Sequence, residues 1–356
     1  MQGREEESIH TTADELRELT TRVFEAAGAP SDTARQVADH LVDANLAGHD
    51  SHGVLRVADY VRHVRNGQIR PAAEPGVTQS TPVAALVDGG WGFGQPAANV
   101  AIDRACDAAS ASGVGLAAVV RAYHLGRLGA YMERAAARGF VALAWLGGFG
   151  TERGAVPYGG ARAAFGTNPL AAAFPTTAAG EQVLVDLATT GAAAGKIMVL
   201  ADKGEPAPEG WLVDREGRPT TDPRDFANGG ALLPAGRHKG YGLAVLAELL
   251  GQTLTGADET GEEGGGGGVY RRAGSLVLAL DPGLFRAAET TRAVAAEFAD
   301  GVRAIPPAPG FERVLIPGDP ERLNRRRLLQ EGIALPAATW RGFRAAAESV
   351  GVHVEP

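Results

Sequence analysis

The stretch Gly48-His49-Asp50-Ser51-His52-Gly53-Val54-Leu55-Arg56 constrains this chain more than any other, because it ends one amphipathic segment and opens the next within a few residues. Upstream, Ser31 to Ala47 carries Val37, Leu41, Val42 and Leu46 at helical spacing, with Ser31 as the expected N-cap and Gly48 as the stop. Downstream, Val54, Leu55, Val57, Tyr60, Val61 and Val64 repeat the period, and Asp50 or Ser51 suits the cap. On that reading His52 lies in the first turn of the second helix, with Arg56 four residues on and on the same face. A helix N-terminus and a nearby guanidinium both disfavour a further positive charge, so His52 is expected neutral near pH 7 and able to take or give a proton. Arg56 can grip a carboxylate through two parallel hydrogen bonds. The pair suits an anion with a carbonyl or hydroxyl beside its carboxylate. A helix-capping histidine and a solvated arginine are the plain alternative, so the rest of the chain decides between them.

The length of 356 residues allows two domains or one large one. A net charge of -8 and the absence of a basic run with interleaved aromatics predict no nucleic-acid partner. Cys106 is the single cysteine, which excludes an intrachain disulfide and cysteine-built zinc sites, and its apolar helical setting predicts a packed thiol. No metal site is expected. Met1 to Ser8 is polar and acidic, and no apolar run is long enough to span a membrane, so a cytoplasmic protein with no membrane contact is expected.

Thr12 with Glu15 reads as a capping box for a first helix ended by Gly28, so residues 1–75 form a helical part carrying the His52 motif. Proline and glycine recur from Pro71 to Pro82, which marks passage into an α/β unit over 76–305, with 306–356 returning to the helical part. Strand Val83 to Val87 is followed by Gly92-x-Gly94-x-x-Ala97, which has the form of a dinucleotide-binding fingerprint. Its context is imperfect, because the next strand, Gly115 to Val120, ends in Arg121 rather than an acid for a ribose hydroxyl.

His124 follows that strand, where α/β sheets place ligands. Asn168, before Pro169, is expected in extended geometry with its amide held as a donor to a substrate carbonyl or as an Asx-turn. A strand from Val183 ends in Asp186-Leu187-Ala188-Thr189-Thr190, ahead of a small-residue helix, and forms a better phosphate cradle than the fingerprint; Asp186 as an N-cap is its alternative. Lys239 opens a later helix among glycines, placed for phosphate or ribose oxygens. The acidic and then glycine-only run Asp258 to Gly268 is expected to be mobile.

Taken in order, GHDSHGVLR, RAYHLGRLGAY, VPYGG, FGTNPLA, DLATTGAAAGK, RPTTDP, LLPAGRHKGYGL and PAPGFERVLIPGDPE resemble the type 2 malate/L-lactate dehydrogenase family from about Leu16 to about Gly332. The family includes ureidoglycolate, sulfolactate, diketogulonate and piperideine-2-carboxylate oxidoreductases. The resemblance implies an α/β protein with a non-Rossmann NAD(P)-binding fold, and a homodimer whose sites draw on both subunits. It implies hydride transfer between NAD or NADP and C2 of a small carboxylate substrate, a 2-hydroxy/2-oxo acid or a cyclic 2-imino acid. Carried over by residue, His52, His124 and Asp186 become catalytic, and Arg56, Ser51 and Asn168 substrate-binding. Asp186, Leu187, Ala188, Thr189, Thr190, His238, Lys239, Gly318, Asp319 and Pro320 become cofactor-binding, with Thr151 or Gly148 as a further contact. Gly274-Ser275 stands where relatives tend to have Gly-His followed by aromatic residues, which bears on substrate choice. The rival readings are a Rossmann dehydrogenase using Gly92 to Ala97, a non-catalytic homologue that binds a small acid, and a pyridoxal-phosphate enzyme using Lys239 or Lys196.

Overall fold

A computed structural model describes residues 8–148, 154–177, 181–259 and 266–354. A short strand, Ile9–Thr11 (β1), leads into helix Ala13–Ala26 (α1), whose Thr12 and Glu15 form the expected capping box. Helix Ser31–Leu46 (α2) is capped by Pro30 with no side-chain bond, so Ser31 is the first helical residue rather than the cap. Pro30 already presets the entry dihedral. After Gly48, two 3-10 turns, Asp50–His52 and Val54–Arg56, precede helix Val57–Arg65 (α3). His52 and Arg56 therefore do not share one α-helix: Gly53, at φ -87° and ψ -157°, breaks the run between them.

Gly76–Ser80 (β2), an exposed strand hidden in the sequence by its polar residues, pairs with Ala84–Asp88 (β3). Helix Gly94–Ser112 (α4), strand Val114–Val120 (β4), helix Leu128–Ala137 (α5) and strands Val141–Gly147 (β5), Leu170–Pro175 (β6) and Gln182–Leu187 (β7) follow. Next come helix Ala194–Lys203 (α6), short strands Leu212–Val213 (β8) and Pro219–Thr220 (β9), the turn of helix Arg224–Ala227 (α7), strand Ala231–Leu232 (β10) and helix His238–Glu248 (α8). The chain ends with Gly267–Tyr270 (α9), Gly274–Leu280 (β11), Ala288–Arg303 (α10), Asp319–Glu331 (α11), Ile333–Leu335 (β12) and Ala337–Ser349 (α12).

The main sheet has seven strands in the order β2-β3-β4-β11-β5-β6-β7, and only β3 and β4 run parallel. A Rossmann unit needs consecutive parallel strands joined by crossovers, so the topology excludes that rival and bears out a non-Rossmann α/β fold. On one face α4 and α5 bury Ala101, Ala105, Ala109, Met132 and Ala135 against β4 and β5; side chains this small let helix and sheet approach closely. Cys106 is in that core, and burial pushes its thiol up to about 11, which leaves it an inert packing group. A second core joins Leu16, Phe24, Leu41, Val57 and Tyr60 to Ile333, Leu335 and Phe343, and β1 pairs antiparallel with β12. The first and last segments thus bury one another, and Phe93 and Tyr123 reach into the same core from the sheet.

Among the described residues no helix is long and apolar enough to cross a membrane, and no group of three or more His, Cys, Asp or Glu side chains is placed to hold a metal ion.

Candidate active site

The turn bearing His52 is held from beneath by Asn45, a buried residue that the sequence reading passed over. Its Oδ1 accepts from the Val54 N–H at 2.9 Å and its Nδ2 donates to Asp50 at 2.6 Å. A Cβ at position 53 would stand 2.2 Å from that Oδ1, so glycine is what permits the clamp. From the other side His49 Nε2 meets Glu321 at 3.2 Å, tying the motif to α11.

His52 Nδ1 is 3.0 Å from Ser51 Oγ, and its ring stacks on His124 with centroids 5.5 Å apart and planes 23° apart. Burial first, then the Arg56 charge, then those of His49 and Arg127, push the His52 imidazole down to about 3. The expected neutral form stands, with the causes reordered: desolvation outweighs the guanidinium, and the turn is not an α-helical N-terminus. His124 is also held well below its usual range, by burial, Arg56, His52 and His40 in that order. Arg56 donates from Nε to the Ser51 carbonyl at 2.7 Å and from Nη1 to Asp59 at 3.3 Å, leaving Nη2 without a hydrogen bond among the described residues. Two of the three guanidinium nitrogens are thereby fixed, on a side chain that is partly exposed.

Tyr60, Tyr123 and Tyr270 wall the pair of imidazoles. The Tyr60 hydroxyl is 2.7 Å from His124 Nδ1, the Tyr270 ring lies 5.7 Å from that of His124 and 4.5 Å from that of Tyr123, and the Tyr123 hydroxyl meets His63. Tyr60 was visible in the sequence only as an apolar helical position, and Tyr270 carried no signal at all, arriving from the far side of the glycine run. Of that run, 260–265 lie outside the described residues. Gly266 donates its N–H to the Gln68 carbonyl at 2.7 Å, so this end is anchored. Ser275 is buried, gives its hydroxyl to the Trp145 carbonyl at 3.0 Å, and lines a small cavity with Tyr123 and Tyr270.

The expected cofactor segments converge beside this group. A Cβ at Gly195, in the first turn of α6, would be 3.4 Å from the Ser51 Cβ, so the start of α6, which follows the β7 segment, lies against the His52 turn. Asp186 accepts from the Gly129 N–H at 2.7 Å and so caps α5, not the helix that follows it; burial raises its carboxyl. Leu187 is exposed, whereas Thr189 and Thr190 are buried and donate their hydroxyls to the Thr167 and Ala192 carbonyls at 2.9 and 2.7 Å. The Ala235 N–H bonds to the Thr189 carbonyl at 2.9 Å, which sets the start of α8, with exposed His238 and Lys239, next to the β7 end. Lys196 is exposed over the Trp211 ring, and neither it nor Lys239 has the desolvated setting a Schiff-base lysine needs.

Asn168, Asp319 and Gly148 are engaged within the fold. Asn168 has φ +36° rather than an extended backbone; it is fully buried and gives Nδ2 to the Ala244 carbonyl at 2.9 Å and to Glu248 at 2.8 Å, so its donors serve α8 and not the histidine pair. Asp319 is buried between Arg303 and Arg322, at 2.8 and 2.6 Å, so only the backbone of 318–320 remains for a ligand. Gly148 bonds to Glu248 through its N–H at 3.0 Å, and Thr151 lies outside the described residues.

Buried His40 and half-buried His52 and His124 set a pH dependence. His40, like His52, is pushed down to about 3, chiefly by burial, so between pH 6.5 and 3 the unfolded chain binds more protons than the folded one and stability must fall as pH falls. His40 and His52 each contribute a loss of about 2 kcal/mol on going from neutral pH to pH 5, and His124 acts in the same direction. A urea midpoint unchanged between pH 7.5 and 5 would show that these rings are not held neutral.

The main sheet lies outside the doubly wound arrangement, and two stacked imidazoles, His52 and His124, stand in one group with Arg56. The chain matches the malate/L-lactate dehydrogenase family over residues 11–344. It is 35% identical to L-lactate dehydrogenase of Cupriavidus necator, over 95% of this chain and 97% of that one. Sulfolactate dehydrogenase of Methanocaldococcus jannaschii superposes with a TM-score of 0.86 at 31% identity, over 97% and 98% of the two chains. The Δ1-piperideine-2-carboxylate reductase of Pseudomonas syringae pvar. tomato does so at 0.84 and 31%, over 95% and 100%. The chain belongs to the malate/L-lactate dehydrogenase family, and it is an oxidoreductase.

Proposed function

We propose that the protein moves a hydride between the nicotinamide of NAD or NADP and C2 of a 2-hydroxy/2-oxo acid or a cyclic 2-imino acid, as a homodimer. The observation that carries the reading is the stacked His52 and His124 pair, with Arg56 bonded through Nε to the Ser51 carbonyl and the first turn of α6 against Ser51. The substrate carboxylate binds Arg56, bringing C2 under the imidazoles. Neutral His52 takes the hydroxyl proton as C2 is oxidised and returns it in the reverse direction. A carboxylate on Arg56 offsets the charge that depresses His52, so the imidazole becomes a better base once substrate is bound.

The cofactor would lie along the β7 end, Asp186 to Thr190, and the start of α8, where exposed Lys239 and His238 and the helix N-terminus favour a phosphate. When bound it supplies the hydride donor or acceptor. A homodimer accounts for the apolar stripe Leu243, Leu246 and Leu249, which stands exposed beside that segment.

The test is oxidation of NADH and NADPH, in parallel, against pyruvate, oxaloacetate, 2-oxoglutarate, sulfopyruvate, diketogulonate and piperideine-2-carboxylate. Turnover of one or more is expected. Silence throughout, with cofactor binding retained, would favour the non-catalytic acid-binding rival. Arg56→Ala is expected to raise KM for every carboxylate by about tenfold or more with a smaller change in kcat, because its contact persists through the reaction. An unchanged KM would remove Arg56 from the substrate site.

A further inference from the structure

The sequence fingerprint Gly92 to Ala97 has no phosphate to bind, since Phe93, Gly94, Gln95, Pro96 and Ala97 are all buried, yet it is not idle. A Cβ on Gly94 would lie 2.5 Å from the carbonyl oxygens of both Tyr123 and His124, so the first turn of α4 is pressed against the loop that bears His124. That contact carries Gln95 beneath Tyr60. Gln95 is fully buried and donates from Nε2 to the Tyr60 hydroxyl at 2.9 Å, while its Oε1 has no partner among the described residues. The Tyr60 hydroxyl, itself buried, has one other neighbour of this kind, His124 Nδ1 at 2.7 Å.

The direction of these bonds follows from counting hydrogens. The phenol oxygen accepts from Gln95, so its single proton must go to His124 Nδ1, since a buried O–H left without an acceptor costs the full desolvation of that group. Burial raises the Tyr60 hydroxyl well above its ordinary range, which keeps that proton in place. Nδ1 of His124 is then an acceptor, and a neutral ring with an accepting Nδ1 carries its proton on Nε2. We infer that Gln95 and Tyr60 are positioning residues that lock His124 as the Nε2–H tautomer, so that His124 donates a hydrogen bond to the substrate oxygen and His52 alone transfers the proton.

This division of labour rests on the oxidoreductase reading above. It also satisfies the proton balance. A neutral Nε2–H ring that gave its proton away would be left as imidazolate, whereas as a donor it stabilises charge developing on the oxygen without losing its proton, the role a neutral histidine plays as an electrophile elsewhere. His52, with Ser51 Oγ at its Nδ1, has no comparable chain of donors imposed on it from the core.

The test is NMR of the intact protein without substrate, 15N-labelled at its eight histidines, with the His124 signals assigned by their loss in His124→Gln. The wild type is expected to show His124 protonated at Nε2 and bare at Nδ1. In Tyr60→Phe and in Gln95→Met the pattern is expected to become a mixture of tautomers. In both variants kcat should fall about tenfold, the worth of one hydrogen bond, with KM within about twofold. A wild-type Nδ1–H ring, or an unmoved His124 pattern in both variants, overturns the inference. So does a shifted tautomer with unchanged kcat. Gln95→Met keeps Tyr60 and its packing, and remains readable if Tyr60→Phe fails to fold. Because the spectra are taken without substrate, failure of the oxidoreductase reading would appear separately, as a wild type without turnover whose His124 is still the Nε2–H form.

Discussion

Alanine at position 52 is expected to lower kcat by about 10²–10⁴-fold in both directions, the usual contribution of a positioned acid or base. Cofactor affinity should stay within about threefold, because among the described residues the His52 side chain has its partners in Ser51 and His124 and none among those at the β7 end and the α8 start that would bind the nucleotide. The fold should survive as well. His52 contributes one side-chain bond, to its neighbour Ser51, whereas the turn itself is held by Asn45 and Glu321. Stopped-flow measurement of the hydride step, with cofactor titration by fluorescence, separates the two quantities. Normal turnover with a tenfold weaker cofactor would transfer His52 from the chemistry to the binding site.

Valine at position 94 is expected to cost about 3 kcal/mol or more of stability, since a branched side chain would have to displace the carbonyls of Tyr123 and His124, backbone atoms that cannot rotate away. For a chain of this size that is a fall in Tm of roughly 5 °C or more. Activity should be lost together with stability, because the displaced segment bears His124. The matched control is Gly301→Ala on α10, where an added Cβ meets nothing within 4 Å. It should be neutral or stabilising by up to about 1 kcal/mol through helix propensity. A phosphate-binding glycine would behave in the opposite way, losing nucleotide affinity at unchanged Tm, and that outcome would restore the fingerprint to its sequence-level meaning.

The contrast between the two positions shows what could be read from the chain alone. His52, Arg56 and His124 were identifiable because acid/base and anion chemistry call for particular residue types, and those types stand at helix and strand ends whose stops, Gly48 and Gly139, are local signals. Capping, periodicity and the polar motifs at strand termini all act over a few residues, so the α/β character was legible too.

What local patterns could not supply was which distant groups meet. The exclusion of a Rossmann sheet came from strand order, with β11 inserted between β4 and β5, a pairing across well over a hundred residues. Asn168 and Asp319 read as ligand contacts by type, and only the fold shows that their side chains bond to α8, Arg303 and Arg322, because buried polar groups must find partners. Asn45, Gln95, Tyr60 and Tyr270 were invisible as site residues for the converse reason: each sits in an ordinary helical or loop context, and only packing brings it against the His52 turn or His124. The residue types of the candidate site were thus written in the chain, while the desolvation that disfavours charge on both imidazoles and the Tyr60 contact to His124 exist only after the two cores close around them, since desolvation and partner geometry are properties of the assembled interior.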